Sequence, residues 1–350
     1  MKVEGWANYC YIKPASGALR RVLSEKPSHI VSHLPAGGDL ISNEPAFKCG
    51  YVALLGRPNV GKSTLLNSLL QQRISIVTPK PQTTRHKILG VLTQDFWQMI
   101  FLDTPGFITP KYRLQEHMMK SVESALDDAD ILLMMVDVAS RDADEDVLEE
   151  PLVERIRASN KVAILALNKV DKVEKPRLLP IIERYDKLSL FREIVPVSAL
   201  TGENLDDLKK TLVQYLPEHP PFYSPDTLTE HPEKFFVSEI VRESVFQKLR
   251  EEVPYSVAVD VVEFKERGAE FEASEEGKPV KDFISAEIYV ERQSQKGILI
   301  GKGGRMLKEI GERSRREVER FLQRPVYLEL HVKVRPKWRE DEKWLKRLGY

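Results

Sequence analysis

Four short segments of the chain combine residue types that handle an anionic nucleotide. Gly56-Arg57-Pro58-Asn59-Val60-Gly61-Lys62-Ser63 fits the spacing GxxxxGK[ST]. Glycines let backbone N–H groups turn inward around a bulky phosphate, and a helix opening behind them adds the positive end of its dipole. Lys62 supplies a point charge to the outer phosphates, Ser63 offers a hydroxyl to Mg²⁺, and Val60 and Thr64 complete the contacts expected of the loop. Forty residues after Ser63, Asp103-Thr104-Pro105-Gly106 places a carboxylate where it can hold Mg²⁺ from the opposite side, usually through water. Gly106 there leaves room for a backbone N–H to meet the outermost phosphate. Alone, such a tetrapeptide is an ordinary turn; after a phosphate loop it reads as a second phosphate sensor.

The base is addressed by Asn168-Lys169-Val170-Asp171 and Ser198-Ala199-Leu200. A carboxylate at a strand end accepts two hydrogen bonds from an amino–imino edge, which guanine has and adenine lacks. With the wrong base that charge is left unpaired, so discrimination is strong. Lys169 can lay its stem over the purine face, and the Ser198–Leu200 segment suits a backbone contact to the guanine carbonyl. In order with the two preceding elements, these segments point to GTP and GDP rather than ATP.

The intervening sequence supplies elements to position these loops. Apolar runs at Tyr51–Leu55, Met99–Asp103, Ile131–Asp137, Val162–Asn168 and Ile194–Val197 have the length and bounding turns of buried strands. Lys62–Leu70 and Leu205–Leu216 have helical spacing. Such alternation predicts an α/β unit over 48–216, a mainly parallel sheet covered on both faces. Five prolines, at 217, 220, 221, 225 and 232, mark a linker over 217–234. A second, smaller α/β unit is expected over 235–339: a helix at Ser238–Leu249, strands at Val257–Lys265 and Ile284–Glu291, a helix at Leu307–Leu322, a strand at Val326–Val334, then a tail over 340–350.

Inside that second unit, Ile298-Leu299-Ile300-Gly301-Lys302-Gly303-Gly304-Arg305 sets a GxxG turn between an apolar segment and a helix. Such a turn lets a nucleic-acid backbone approach closely, with Lys302 and Arg305 adding charge and Ile298 and Ile300 lining a groove for bases. Charge divides the unit. Arg292–Tyr350 holds seventeen Lys/Arg against eight Asp/Glu, whereas Val237–Glu291 holds seven against fourteen. A basic face attracts phosphate backbone without reading sequence. Arg313, Arg315, Arg316 and Arg320 alternate with Glu312, Glu317 and Glu319, which also fits a solvated helix face. Trp338 and Trp344 either stack on RNA or pack on the domain.

The segments GRPNVGKS, QTTR, DTPG, NKVD and SAL, taken in order, resemble a translation-factor-related GTPase. With the GxxG unit, which is similar to a type II KH domain, the chain from about Phe47 to Tyr350 resembles the Era family of bacterial ribosome-assembly GTPases. The resemblance implies slow GTP hydrolysis and Mg²⁺ held by Ser63, Asp103 and Thr84, with Thr83 as the other candidate. It further implies action in small (30S) ribosomal subunit assembly on the single-stranded 3′ end of 16S rRNA, and a cytoplasmic monomer with peripheral contact to the inner face of the cell membrane. The loop Thr78–Arg85 is expected to close over the γ-phosphate, which would release it on hydrolysis. Phe107 stands where many GTPases carry a water-orienting glutamine. Asn59 resembles an asparagine that holds K⁺ beside the phosphates in potassium-stimulated relatives, where the cation stabilises developing charge; a loop-capping role fits it equally. Catalysis would then rest on Lys62, Thr84, Asn59 and Gly106. Two other readings stay open: a GTPase whose second unit docks protein or membrane, and an RNA scaffold that uses GTP only structurally.

Composition narrows the rest. The 350 residues are 42% hydrophobic with zero formal net charge, so the total charge names no partner. Two cysteines, Cys10 and Cys49, form no CxxC pair and read as reduced thiols. No apolar run exceeds the six residues of Ile131–Val136, far short of the ~20 a spanning helix needs. Residues 1–47 mix basic residues with four acids and lack an apolar core, so they read as a poorly ordered extension rather than a secretory signal or transit peptide.

Overall fold

The computed structural model describes residues 46–140, 148, 150–266 and 281–350. The extension expected over 1–47 lies almost wholly outside them.

The first unit is a six-stranded sheet in the order β2-β3-β1-β4-β5-β6. Its strands are β1 (Lys48–Leu55), β2 (Ile88–Gln94), β3 (Trp97–Asp103), β4 (Ile131–Asp137), β5 (Val162–Asn168) and β6 (Glu193–Val197). Only β2 runs antiparallel, joined to β3 by a tight hairpin at the sheet edge. The central strands are apolar on both faces because helices cover both: Ile131 to Val136 are all buried. Helices α1 (Lys62–Leu70) and α5 (Leu205–Tyr215) cover one face, with Leu65, Leu66 and Leu208 packed on Val52, Leu54 and Leu133. Helices α2 (Arg113–Asp128), α3 (Glu150–Ser159) and α4 (Leu178–Asp186) cover the other, with Val122, Ile156 and Ile181 on Ala53, Leu132 and Leu165.

The proline-rich segment is stitched to the sheet rather than hanging free of it. Gln98 Oε1 accepts the N–H groups of Phe222 and Tyr223, and Gln98 Nε2 donates to Tyr223 O, all at 2.9 Å. Val91 N donates to Leu228 O, and His219 N to Phe47 O. Prolines withhold donors, so the remaining linker N–H groups donate to Gln98 and Phe47, while linker carbonyls accept from Gln98 and Val91.

The second unit runs α6 (Glu233–Lys248), β7 (Ala258–Lys265), β8 (Asp282–Val290), α7 (Gln293–Ile300), α8 (Arg305–Leu322) and β9 (Val326–Val334), followed by the short α9 (Glu342–Arg347). Strands β7 and β8 pair antiparallel, β8 and β9 in parallel. Helices α6, α7 and α8 cover one sheet face around Val241, Val245, Leu299, Ile310 and Ile288. Helix α7 has no counterpart in the elements expected from sequence: Ile298–Ile300 reads there only as an apolar segment, whereas the chain is helical from Gln293. Gln295 Oε1 fixes that start by accepting from Glu291 N and Arg292 N. The true order is therefore helix–strand–strand–helix–helix–strand, with the GxxG turn between two helices.

The units are tightly joined. Leu114 and Met118 of α2 share a buried cluster with Ala258, Tyr289, Trp338 and Leu345. Trp338 is fully buried and donates Nε1–H to Ser256 O, and Trp344 lies between the guanidinium groups of Arg335 and Arg347, so both tryptophans pack on protein. Arg315 pairs with Glu319 and Arg320 with Glu317, the solvated-face arrangement weighed above for this helix.

Candidate functional site

The phosphate, sensor and base-reading segments all leave the carboxyl ends of parallel strands, where α/β sheets bind ligands. Gly56–Ser63 follows β1 and opens α1, Asp103 ends β3, Asn168 ends β5 and Ser198 follows β6. Register places Asp103 beside Leu54, and Asn168 beside both Asp137 and Val197.

Lys62 is buried, and its Nζ donates to Gly56 O and Arg57 O at 3.0 Å, bent across the loop that would hold phosphate. Burial pulls its pKa down to about 8, against the attraction of Asp103. Ser63 Oγ donates to Asp103 Oδ2 at 2.7 Å and lies 2.9 Å from Thr84 Oγ1. Ser75 Oγ reaches the same Asp103 oxygen at 2.7 Å. Burial pushes the Asp103 carboxyl up, while these two hydroxyls oppose the shift. The other oxygen, Asp103 Oδ1, is buried with no hydrogen-bond partner among the described residues. Two hydroxyls and a partly unsatisfied carboxylate form an all-oxygen set, the donors that Mg²⁺ prefers. Thr83 is turned away: its hydroxyl bonds Thr78 Oγ1 at 2.6 Å and Lys80 O at 2.7 Å. Gly106 abuts Pro58 of the phosphate loop, and Phe107 N donates to Gly56 O.

The base-reading loops are bolted to the phosphate loop. Asn168 Nδ2 donates to Val60 O at 2.7 Å, while its Oδ1 accepts Ala199 N at 2.9 Å. At Gly61, with φ of 104°, a Cβ would lie 2.2 Å from Asn168 Nδ2, so no larger residue fits. Ser198 Oγ donates to Asp171 Oδ1 at 2.6 Å, which orients the carboxylate. Leu200 is half exposed beside it. Lys169 Nζ donates to Asn59 O at 2.9 Å and to Asp137 Oδ2 at 2.5 Å. Asn59 Nδ2 in turn donates to Pro79 O of the loop holding Thr84.

That loop also grips the second unit. Arg85 is buried, with its guanidinium donating to Val257 O (2.7 Å), Tyr255 O (3.0 Å) and Pro254 O (3.3 Å), over the ring of Phe246. Lys80 Nζ donates to Phe246 O and Leu249 O at the end of α6. Just upstream, Arg73 pairs with Glu243 at 2.5 Å and with Glu317 at 2.8 Å. Nothing in the local pattern distinguishes Lys80, Arg85, Ser75 or Asp137; their partners are distant in sequence.

In the second unit, Gly301, Gly303 and Gly304 all have positive φ, and Lys302 and Arg305 are exposed beside them. Ile298 is 50% exposed and Ile300 half-buried, so Ile298 presents apolar surface next to the turn. Among the described residues no helix is long and apolar enough to cross a membrane.

Known proteins are similar to this chain over most of its length. A family model described as 50S ribosome-binding GTPase matches residues 51–169, and one described as KH domain matches residues 252–339. GTPase Era of Ruminiclostridium cellulolyticum is 43% identical over 305 residues, covering 87% of this chain and 98% of that protein. The maize protein named GTPase ERA1, chloroplastic, is 42% identical over 342 residues, 95% of this chain and 78% of its own. The crystal structure of Era with MgGDPNP and nucleotides 1506–1542 of 16S ribosomal RNA superposes with a TM-score of 0.79 at 44% identity, covering 87% of this chain and 99% of that one. The crystal structure of a single-substitution variant of Aquifex aeolicus Era bound to GDP·AlF₄⁻ gives 0.77 at 43% identity, with the same coverage. By its sequence, fold and loop order, the chain belongs to the Era family of GTPases.

Proposed function

We propose that this GTPase binds the single-stranded 3′ end of 16S rRNA through its GxxG turn, as a checkpoint in small-subunit assembly, with its GTP state setting RNA affinity. One observation carries the reading. The loop that brings Thr84 to Ser63 is the loop that buries Arg85 against the second unit. Order imposed at the phosphate end would therefore be felt by the second unit through the contacts of Arg85.

At the nucleotide, Lys62 would balance charge on the outer phosphates, and the N–H following Pro105 would meet the γ-phosphate. Ser63 and Thr84 would hold Mg²⁺ directly, with Asp103 behind them, kept in place by Ser75. Bound there, the ion would neutralise charge that develops on the outer phosphates. Asp171, set by Ser198, would accept the guanine amino–imino edge; Asn168 would tie the base loop to the phosphate loop. Phe107 carries no hydrogen-bonding side chain, so turnover is slow. Asn59 spends its amide nitrogen on Pro79 O, which leaves the amide oxygen as the group a potassium ion would take. Turnover is then expected to be at least about tenfold faster in K⁺ than in Na⁺ at equal ionic strength; equal rates would remove the cation from the scheme.

On the RNA side, Gly303 has φ of 61° and open space around it. Gly303→Asp places a carboxylate where a phosphate backbone approaches, and Asp tolerates this conformation better than most residues. RNA affinity should fall about tenfold or more while GDP affinity holds. Crosslinking in GTP against GDP, with sequencing of the captured fragment, tests the target itself. Recovery of the 16S 3′ end chiefly in GTP supports it. Capture of 23S fragments, or of no rRNA, favours a unit that docks elsewhere, and capture indifferent to nucleotide favours a scaffold. We place the protein as a monomer in the cytoplasm. Light scattering tests the first, and co-sedimentation with inner-membrane vesicles tests the peripheral contact that the family resemblance implies.

A further inference from the structure

We propose that Asp137 is a positioning residue of the guanine site, acting through Lys169; this rests on the guanine reading given above. Asp137 is the last residue of β4, in register with Asn168, and belongs to none of the recognised segments. Its two oxygens have separate tasks. Oδ1 accepts Ala139 N at 2.9 Å and so fixes the turn after the strand. Oδ2 receives Lys169 Nζ at 2.5 Å. The ammonium is held a second time by Asn59 O at 2.9 Å.

Lys169 starts from the base-reading loop, and its ammonium ends at the phosphate loop. Its stem therefore spans the gap between the loop carrying Asp171 and the loop carrying Lys62, where a nucleotide gripped at both ends must lie. The backbone at Lys169 has φ of 71°, a conformation that residues with a Cβ seldom take and that clusters at functional sites. A lysine stem has four rotatable bonds, and an unanchored stem covers a base face only part of the time. Two anchors at the ammonium make it a fixed wall.

The plainer view is an ordinary ion pair on the surface, worth little. The exposures argue otherwise: the side chains are 25% and 18% exposed, and each partner is held by a further hydrogen bond. The geometry is thus set from both ends before any ligand arrives.

The test is a double-mutant cycle read as the Kd of a fluorescent GDP. Asp137→Asn keeps an acceptor for Ala139 N and loses the charge facing Lys169. We expect Kd to rise about tenfold, the scale of freeing one long charged side chain. Asp137→Glu, which retains the charge, should stay within about threefold of wild type. Lys169→Met should weaken binding at least as much as Asp137→Asn, and the double variant no further. The inference is overturned if Asp137→Asn binds GDP like wild type, if Asp137→Glu is as weak as Asp137→Asn, or if Asp137→Asn costs as much again in the Lys169→Met background. A different result, wild type holding ADP as well as GDP, would instead remove the guanine reading on which this rests.

Discussion

Lys62→Ala is expected to raise the GDP and GTP dissociation constants by at least about a hundredfold, because it removes a buried charge from the phosphate site. The same change should not lower the melting temperature of the nucleotide-free protein. Lys62 is buried with its pKa drawn down from 10.5 to about 8, and desolvation is the largest cause. A folded-state pKa below the unfolded value means that the unfolded chain holds this proton more tightly. Below pH 8 the charged lysine therefore opposes folding by an amount on the order of 3 kcal/mol, and the penalty fades as pH rises from 8 to 10.5. Bound phosphate reverses the balance and favours the protonated form. Nucleotide binding above pH 8 must take up a proton, so affinity should weaken there by up to about tenfold per pH unit. Calorimetry at pH 8.5–9 in buffers of different ionisation enthalpy measures the uptake, and no uptake would contradict the role given to Lys62.

Arg85→Ala should have the largest effect away from the nucleotide. Truncation removes the Arg85 donor from the carbonyls of Val257 and Tyr255 inside the junction, leaves Pro254 O with Val257 N alone, and empties the space over Phe246. The loss should be about 3 kcal/mol or more. Its signature is specific: the loop loses its hold on the second unit while Thr84 keeps its place beside Ser63. Nucleotide affinity should change little, whereas the difference in RNA affinity between GTP and GDP states should shrink toward none. Parallel RNA titrations in the two nucleotides measure this; an undiminished difference would mean that the coupling runs by another route.

How far such features are legible in sequence depends on how local their causes are. Lys62–Leu70, Ile131–Asp137, Val162–Asn168 and Val326–Val334 have the same bounds in the sequence reading and in the structure. Each is decided by its own apolar pattern and bounding turn residues. Strand β2 is absent from the apolar runs because Gly90 interrupts it and its last residues, Thr93 and Gln94, are polar. Helix α7 is hidden because Gly297 interrupts it and its last turn is Ile298-Leu299-Ile300. Helix α6 begins at Glu233, five residues ahead of the expected Ser238, as the chain turns helical directly after Pro232. In the site, order and spacing point to the loops but not to their braces. Ser75 meets Asp103 across 28 residues, Asp137 meets Lys169 across 32, and Arg85 meets Val257 across 172. Taken singly, a serine, an aspartate and an arginine look ordinary until the fold brings their partners. The choice between Thr83 and Thr84 likewise turns on hydroxyl direction, which no spacing encodes.

Competition binding decides whether the Lys62–Ser63 loop and Asp171 grip opposite ends of one guanine nucleotide. Fluorescent GDP on the full chain with Mg²⁺ should be displaced by GTP at concentrations on the order of 10⁴-fold lower than by ATP, since an adenine leaves the Asp171 carboxylate unpaired. Displacement by ATP and GTP at similar concentrations would contradict the account.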